Sequence, residues 1–207
     1  MTAESLRDFI DVSRETLEKL EIYVALLRKW QNAINLVGKS TLADPWRRHV
    51  LDSAQLVRFL PKSVRSIIDL GSGAGFPGLV LSIFGAPDVT LCESDSRKCV
   101  FLREVVRRTH STAIVTERRA ETLSGMNFHV ATARALAPVD TLLSYAVPIL
   151  APDGICLFLK GKEVEEELTA ACKRWNMRIE VIASHTDSAG KILRLGEISR
   201  AAPNSFR

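Results

Sequence analysis

The sequence predicts an α/β fold: a mostly parallel seven-stranded sheet, closed by an antiparallel hairpin and preceded by an N-terminal helical extension. Three observations carry this. From Ser66 onward, short apolar runs alternate with segments of helical period. The first such run, Ser66–Leu70, leads into Gly71-Ser72-Gly73-Ala74-Gly75-Phe76-Pro77-Gly78, four glycines in eight residues. Near the other end, Arg178–Ala183 and Ile192–Ile198 alternate apolar and polar side chains around Thr186-Asp187-Ser188-Ala189-Gly190-Lys191, as a hairpin does. With 207 residues, 46% of them hydrophobic, the chain can bury a sizeable core. We divide it into a helical extension, residues 1–62, and a ligand-binding α/β domain, residues 63–207.

In the extension, Leu17, Leu20, Val24, Leu27 and Ile34 recur at three- and four-residue steps, with Glu18, Lys19, Glu21 and Arg28 opposite. A second helix is expected to start after the capping hydroxyls of Ser40-Thr41. It runs through His49, Val50, Leu51 and Leu56 to Phe59, with Pro61 as its stop. Beyond the glycine loop, Leu79–Phe84 reads as a buried helix with Pro77 near its first turn. Val89–Cys92 is the second strand. Ser96–Thr109 is a helix with Val100, Leu102, Val105 and Val106 inward and Arg97, Lys98, Arg103, Arg107 and Arg108 outward. Ala113–Thr116 and Phe128–Thr132 are the third and fourth strands. A helix over Pro138–Leu150 leads through Pro152-Asp153-Gly154 to the fifth, Ile155–Leu159, and Glu163–Trp175 reads as an acid-rich exposed helix.

Other classes are excluded. The first eight residues carry two acids and no apolar core, so they do not read as a signal peptide, and no apolar run approaches the ~18 residues of a membrane span. Cys92, Cys99, Cys156 and Cys172 are scattered without zinc spacing, so no metal is expected and free thiols in the cytoplasm are. A net charge of +4 is compatible with a phosphate-bearing partner and equally with a slightly basic surface.

Open α/β sheets bind ligands beyond the carboxyl ends of their strands. After the first strand stands Gly73-x-Gly75-x-x-Gly78, with Glu93 twenty residues beyond Gly73, a Rossmann-like fingerprint that fits NAD as well as S-adenosyl-L-methionine. Asp69 tips the balance: a carboxylate before the glycines suits a cationic amine and would repel a pyrophosphate. The short sheet also leaves no second domain to seat a nicotinamide substrate. After the second strand Glu93 is the ribose acid, with Asp95 as rival. Arg119-Ala120-Glu121 follows the third strand, either reading an adenine edge or forming a solvated turn. Arg134, after the fourth, needs a partner, and a cofactor carboxylate, an RNA phosphate or a structural acid would each serve. Lys160-Gly161 follows the fifth.

The loop after the fourth strand lacks a box for an exocyclic amine and a cysteine to attack a pyrimidine. It suits an acceptor that is already nucleophilic, such as N(7) of guanine, and then no general base and no catalytic side chain beyond positioning are expected. At this point the residues resemble a known family, the bacterial 16S ribosomal RNA guanine-N(7) methyltransferases (RsmG/GidB, glucose-inhibited division protein B). The carriers are Lys29-Trp30-x-x-x-Ile34-Asn35-Leu36-Val37, Arg48-His49-Val50-Leu51-Asp52-Ser53, Ile68 to Gly78, Arg119-Ala120-Glu121, Ala133-Arg134-Ala135 and Lys160-Gly161.

The resemblance implies a Rossmann-like class I methyltransferase fold, S-adenosyl-L-methionine as cofactor, and cofactor contacts at Gly71, Phe76, Ala120, Glu121 and Arg134, beside Asp69, Gly73, Gly75 and Glu93 from the strand-end reading. It implies one guanine, 527 in rRNA numbering, as target, within 16S ribosomal RNA or a small-subunit particle, with no DNA or membrane partner. Phosphates would meet Arg47, Arg48, Arg118, Arg119, Lys160 and Lys162, with Arg28 and Lys29 as further candidates. Trp30, Trp46 and Phe76 are the aromatics to test for base stacking. His49 reads as a satisfied helix histidine more readily than as part of the site.

Overall fold

The computed structural model describes residues 1–202. Seven strands form one sheet in the order β3-β2-β1-β4-β5-β7-β6. Strands β1 (Ile67–Leu70), β2 (Val89–Glu93), β3 (Ile114–Glu117), β4 (Phe128–Arg134) and β5 (Leu150–Lys160) run parallel. The hairpin of β6 (Trp175–Ala183) and β7 (Lys191–Arg200) closes the sheet, with β7 antiparallel to β5. Strand order turns around at β1, between β2 and β4, so the crevice of an open sheet falls at the end of β1.

One face of the sheet is covered by the N-terminal helices and by α3 (Gly78–Ile83) and α4 (Ser96–Thr109), the other by α5 (Val139–Ala146) and α6 (Val164–Ala171). Helix α1 (Arg14–Gln31) opens on Ser13, whose hydroxyl accepts the Thr16 N–H, and buries Leu17, Leu20, Tyr23, Val24 and Leu27. These side chains share one apolar cluster with Ile67 of β1, Leu91 of β2 and Phe101 of α4. The second cluster joins Ile68 and Leu70 to Leu142, Leu143 and Val164. Alternation along β1 therefore turns Asp69 to the same face as Ile67.

The second helical stretch departs from expectation. Thr41–Ala43 is a separate 3-10 turn, and Ser40 makes no side-chain cap. Pro45 precedes the stretch proper, which is π-wound over Trp46–Leu51, α-helical over Asp52–Ala54 (α2) and 3-10 over Gln55–Phe59. The Asp44 carboxylate, not a hydroxyl, takes the Arg47 N–H, at 3.2 Å.

Helix α3 spans Gly78–Ile83 behind Pro77, and α4 spans Ser96–Thr109. Within α4, Val100 is 51% exposed while Cys99 and Phe101 are buried. The inward stripe passes through Cys99, Leu102 and Val105 at three-residue steps, and Val100 lies about 100° away from Cys99. Strand β4 runs two residues past the expected end, to Arg134. Strand β5 starts at Leu150, paired with Phe128 before a register shift, so Pro152-Asp153-Gly154 lies inside the strand.

Helix α5 is Val139–Ala146, continued by a 3-10 turn over Val147–Ile149. Helix α6 is only Val164–Ala171, and Trp175 begins β6 instead of ending the helix. The Trp175 indole is 2% exposed and donates its N–H to Asp140 at 2.8 Å, a tertiary anchor invisible to local period. No helix among the described residues is long and apolar enough to cross a membrane.

Candidate functional site

The glycine loop leaves the carboxyl end of β1 and walls a cleft of about 450 Å³. Gly71, Gly73, Phe76, Glu93, Ala120, Glu121 and Arg134 all line it, drawn from the ends of four strands. Gly73 has φ +57°, and a Cβ built on it would meet nothing nearer than the Gly71 carbonyl at 3.8 Å, so the missing side chain opens onto the cleft. Gly75 and Asp69 lie behind that wall. At Gly75, φ +97°, a Cβ would stand 2.6 Å from the Tyr23 hydroxyl, so glycine there admits α1. The Tyr23 hydroxyl donates to the Ala74 carbonyl, tying the extension to the loop.

Glu93, buried at 7% exposure, ends β2 with its carboxylate turned under the loop. Its Oε2 accepts the Gly73 N–H and its Oε1 the N–H groups of Ser94 and Asp95, each at 2.8 Å. Asp95 does something else: its carboxylate caps α4 by accepting the N–H groups of Arg97 and Lys98. Asp69 is fully buried. Its Oδ1 accepts the Thr132 hydroxyl at 2.7 Å, while Oδ2 has no hydrogen-bond partner, and burial raises its pKa from 3.8 to about 6. A buried carboxylate with an orphaned oxygen beside a ligand cleft favours a cation or a donor nearby.

Arg134 found a structural acid. Its Nη1 donates to Asp52 Oδ2 at 3.3 Å and to the Arg48 carbonyl at 3.1 Å, and its Nη2 meets His49 Nδ1 at 3.0 Å. A guanidinium only donates, so Nδ1 accepts and the His49 proton sits on Nε2, directed to the Thr41 hydroxyl at 2.9 Å. Burial first, then Arg134 and Arg48, pushes the His49 pKa down to about 3. The imidazole stacks on Phe76 with ring centroids 4.9 Å apart, and Tyr23 stacks on Phe76 at 5.0 Å. Phe76 is therefore 3% exposed, and Trp46 is 8% exposed. Trp30 is half-buried against Phe101. The aromatics named for base stacking are packed into the protein.

A second cleft, about 730 Å³, opens on the other side of Arg134. Arg134 and Ala135 line both, so the two clefts meet there. Beside Arg134, the cations lining the second cleft are Arg48, Lys160, Lys162 and Lys191. Arg48 is half-exposed and pairs with Asp187 at 2.8 Å, and Arg47 donates to the Thr186 carbonyl at 3.1 Å. Arg118 and Arg119 are exposed on the rim of the first cleft, Arg119 near Glu121 at 3.7 Å. Lys160 differs from the rest: its side chain is 8% exposed, its Nζ lies 2.6 Å from Glu167 Oε2, and it donates to the Ala137 carbonyl at 3.0 Å. That ammonium holds the β4–α5 loop and is not offered to a phosphate. Asp52, Thr132, Thr186 and Tyr23 escape a reading of strand ends, since none follows a parallel strand. Only Asp52 leaves a sign in the sequence, within the Arg48–Ser53 pattern.

Comparison with known proteins adds to this geometry. Residues 16–192 match the family model GidB, described as rRNA small subunit methyltransferase G. The chain is 54% identical over 200 residues to Ribosomal RNA small subunit methyltransferase G of Paramagnetospirillum magneticum, covering 97% of this chain and 98% of that protein. It is 52% identical over 201 residues to the protein of the same name from Rhodospirillum rubrum, covering 97% and 100%. Among solved structures it is similar to a TehB-like SAM-dependent methyltransferase from Corynebacterium glutamicum, with TM-score 0.56, 15% identity, and 85% and 96% of the two chains covered. A SAM-dependent methyltransferase from Aquifex aeolicus gives TM-score 0.58 at 16% identity, with 76% and 95% covered. At these identities the structural likenesses speak for the fold alone, the Rossmann-like class I methyltransferase fold.

Proposed function

This chain belongs to the GidB family, the rRNA small subunit methyltransferases G, and from that premise we propose that it methylates N(7) of one guanine in 16S ribosomal RNA, guanine 527 in rRNA numbering. It is a methyltransferase, and S-adenosyl-L-methionine is its methyl donor. The family sets aside the oxidoreductase reading that glycine spacing alone allowed. The observation that carries the proposal is the meeting of two clefts at Arg134 and Ala135, one floored by a glycine loop and the other lined with cations.

The residues present fit the donor. Gly73 leaves room at the loop, Glu93 lies at the end of β2 where ribose hydroxyls would be held, and Asp69, fully buried behind the loop, keeps an orphaned oxygen whose charge favours the ammonium end of the methionine on the other side of the wall. Ala120 and Glu121 form the far wall. When bound, the donor supplies an electrophilic methyl group on a sulfonium. The protein's own contribution is alignment and exclusion of water. Guanine N(7) attacks through a lone pair and has no proton to lose, so a base would accelerate nothing. Two observations support this reading: His49 is held neutral with a pKa far below the working range, and burial pushes the Cys92 thiol up to about 11. Arg47, Arg48, Lys162, Arg118 and Arg119 would neutralise phosphates around the second cleft and the rim of the first.

The test uses the full chain with labelled S-adenosyl-L-methionine and either naked 16S rRNA or small-subunit particles. The product is mapped by scission at N(7)-methylguanine. A single site is expected. Label on an exocyclic nitrogen or a ribose would overturn the acceptor assignment, and RNA binding without any transfer would favour a non-catalytic assembly factor.

A further inference from the structure

Among the described residues the segment Arg48-His49-Val50-Leu51-Asp52 supplies every hydrogen bond the Arg134 guanidinium makes, beside the Phe76 ring whose centroid lies 5.0 Å from it, and the segment lies in the helical extension, 82 residues from Arg134 in the case of Asp52. The π winding of Trp46–Leu51 brings one carbonyl and one ring nitrogen onto the guanidinium, and Asp52, the first residue of α2, adds its carboxylate. Such windings recur at functional positions. We propose that Asp52 is a positioning residue for methyl transfer, holding Arg134 in the one orientation that serves the seam between the two clefts. The inference rests on the reading of Arg134 as a cofactor contact.

Neutralising a half-buried charge would need only one acid. Here both Nη1 hydrogens are used, by Asp52 and by the Arg48 carbonyl, and one Nη2 hydrogen goes to His49. That leaves Nε–H and a second Nη2–H without a protein partner among the described residues, on a side chain that lines both clefts. The carboxylate is itself oriented. Asp52 Oδ1 accepts the Thr186 hydroxyl at 2.6 Å and the Gln55 amide at 3.1 Å, and Gln55 reaches Ser184 at 3.0 Å. Thr186 belongs to the β6–β7 loop, whose Asp187 pairs with Arg48. Three separate segments thus converge on one ion pair, each of them forming part of the second cleft. A planar fork held at three hydrogens loses little further freedom when its remaining donors meet a ligand.

The experiment measures S-adenosyl-L-methionine and S-adenosylhomocysteine affinity by calorimetry for the full-length wild type, Arg134→Lys, Asp52→Asn and the double variant, with turnover on rRNA and melting alongside. Arg134→Lys is expected to weaken cofactor affinity at least tenfold. Asp52→Asn should weaken it by about tenfold, the scale of one hydrogen bond to a charged group. The double variant should be no worse than Arg134→Lys, because Asp52 acts through Arg134. Saturating cofactor should return the turnover of Asp52→Asn to within about threefold of wild type, a KM effect that a merely structural role would not produce. Thr186→Val, which removes the shorter of the two hydrogen bonds to Oδ1 and leaves the Arg134 pair in place, should cost about threefold in cofactor affinity and provides the reading should Asp52→Asn not fold. If Arg134→Lys binds cofactor normally, the underlying assignment of Arg134 fails. If Arg134→Lys loses affinity while Asp52→Asn does not, or their losses multiply in the double variant, the positioning role alone is overturned. An unchanged Thr186→Val beside an insoluble Asp52→Asn overturns it as well.

Discussion

Replacing Glu93 with Ala removes three hydrogen bonds in one step, and their fates differ. The Gly73 N–H gives up its bond to Oε2 inside the glycine loop, while the Ser94 and Asp95 N–H groups lose Oε1. Ser94 is exposed, so its N–H recovers water. Bonds to a charged acceptor are worth ~1.5–3 kcal/mol each, so losing the Gly73 bond outright and a fraction of the half-buried Asp95 bond costs roughly 2–4 kcal/mol. In a chain of this size each kcal/mol lowers Tm by about 2–4 °C, which gives a fall of about 4–16 °C. Cofactor affinity should drop at least tenfold as well, since the loop is untethered at Gly73. Asp95→Ala is the control. It removes the cap of α4, costs ~1 kcal/mol, and should leave cofactor affinity within about twofold of wild type. Scanning calorimetry and titration with S-adenosylhomocysteine read both effects. A Glu93→Ala protein that melts and binds like wild type would refute the tether. Lost affinity in Asp95→Ala with normal affinity in Glu93→Ala would make Asp95 the ribose acid.

The other expectations separate roles that lie close together. Gly73→Val should abolish cofactor binding with the fold retained, because its side chain enters the open cleft; wild-type affinity by titration would remove Gly73 from the site. Asp69→Asn should stabilise the protein without cofactor at pH 7.5. Burial raises the Asp69 pKa from 3.8 to about 6, so ionising it in the folded state costs on the order of 3 kcal/mol, absent below pH 3.8 and complete above pH 6. Its Tm gain should therefore vanish by pH 4, and an equal gain at both pH values would refute the burial account. Lys160→Ala should lower Tm and leave the salt dependence of RNA binding unchanged, whereas Lys162→Ala should flatten that dependence and spare Tm. The reverse pattern would exchange their roles. Under single-turnover conditions with saturating RNA the rate should be nearly flat from mildly acidic to mildly basic pH, because His49 stays neutral throughout; a tenfold rise per pH unit that His49→Gln abolishes would show a catalytic base.

The glycine loop, the five parallel strands and α4 are legible from apolar runs, turn chemistry and period, since each is decided within a few residues of chain. The deviations have tertiary causes. Helix α6 stops at Ala171 and Trp175 begins a strand because the indole is anchored on Asp140, 35 residues earlier. The second helical stretch begins beyond Pro45 and winds as a π-helix, and no periodicity signals that winding in advance. Val100 is apolar enough to read as inward, yet the stripe that packs is set by Cys99 and Leu102.

The site divides along the same line. A strand end is a local feature, so Glu93, Ala120, Glu121 and Arg134 are legible at the ends of their strands, and the structure gathers all four around one cleft. Which of two neighbouring acids faces that cleft is also a local matter: Asp95 stands where a helix cap belongs, and Glu93 reaches under the loop. What a charged group is paired with is not local. Lys160 and Arg134 both end parallel strands and look equally available to a phosphate in the sequence. Glu167 covers the first, and Asp52 turns the second toward the seam of the clefts. Composition cannot separate these outcomes, because the two acids come from opposite faces of the sheet. The helical extension, which carries no strand end at all, thereby supplies the contacts that orient Arg134, through Asp52 and His49, and braces the glycine loop, through Tyr23.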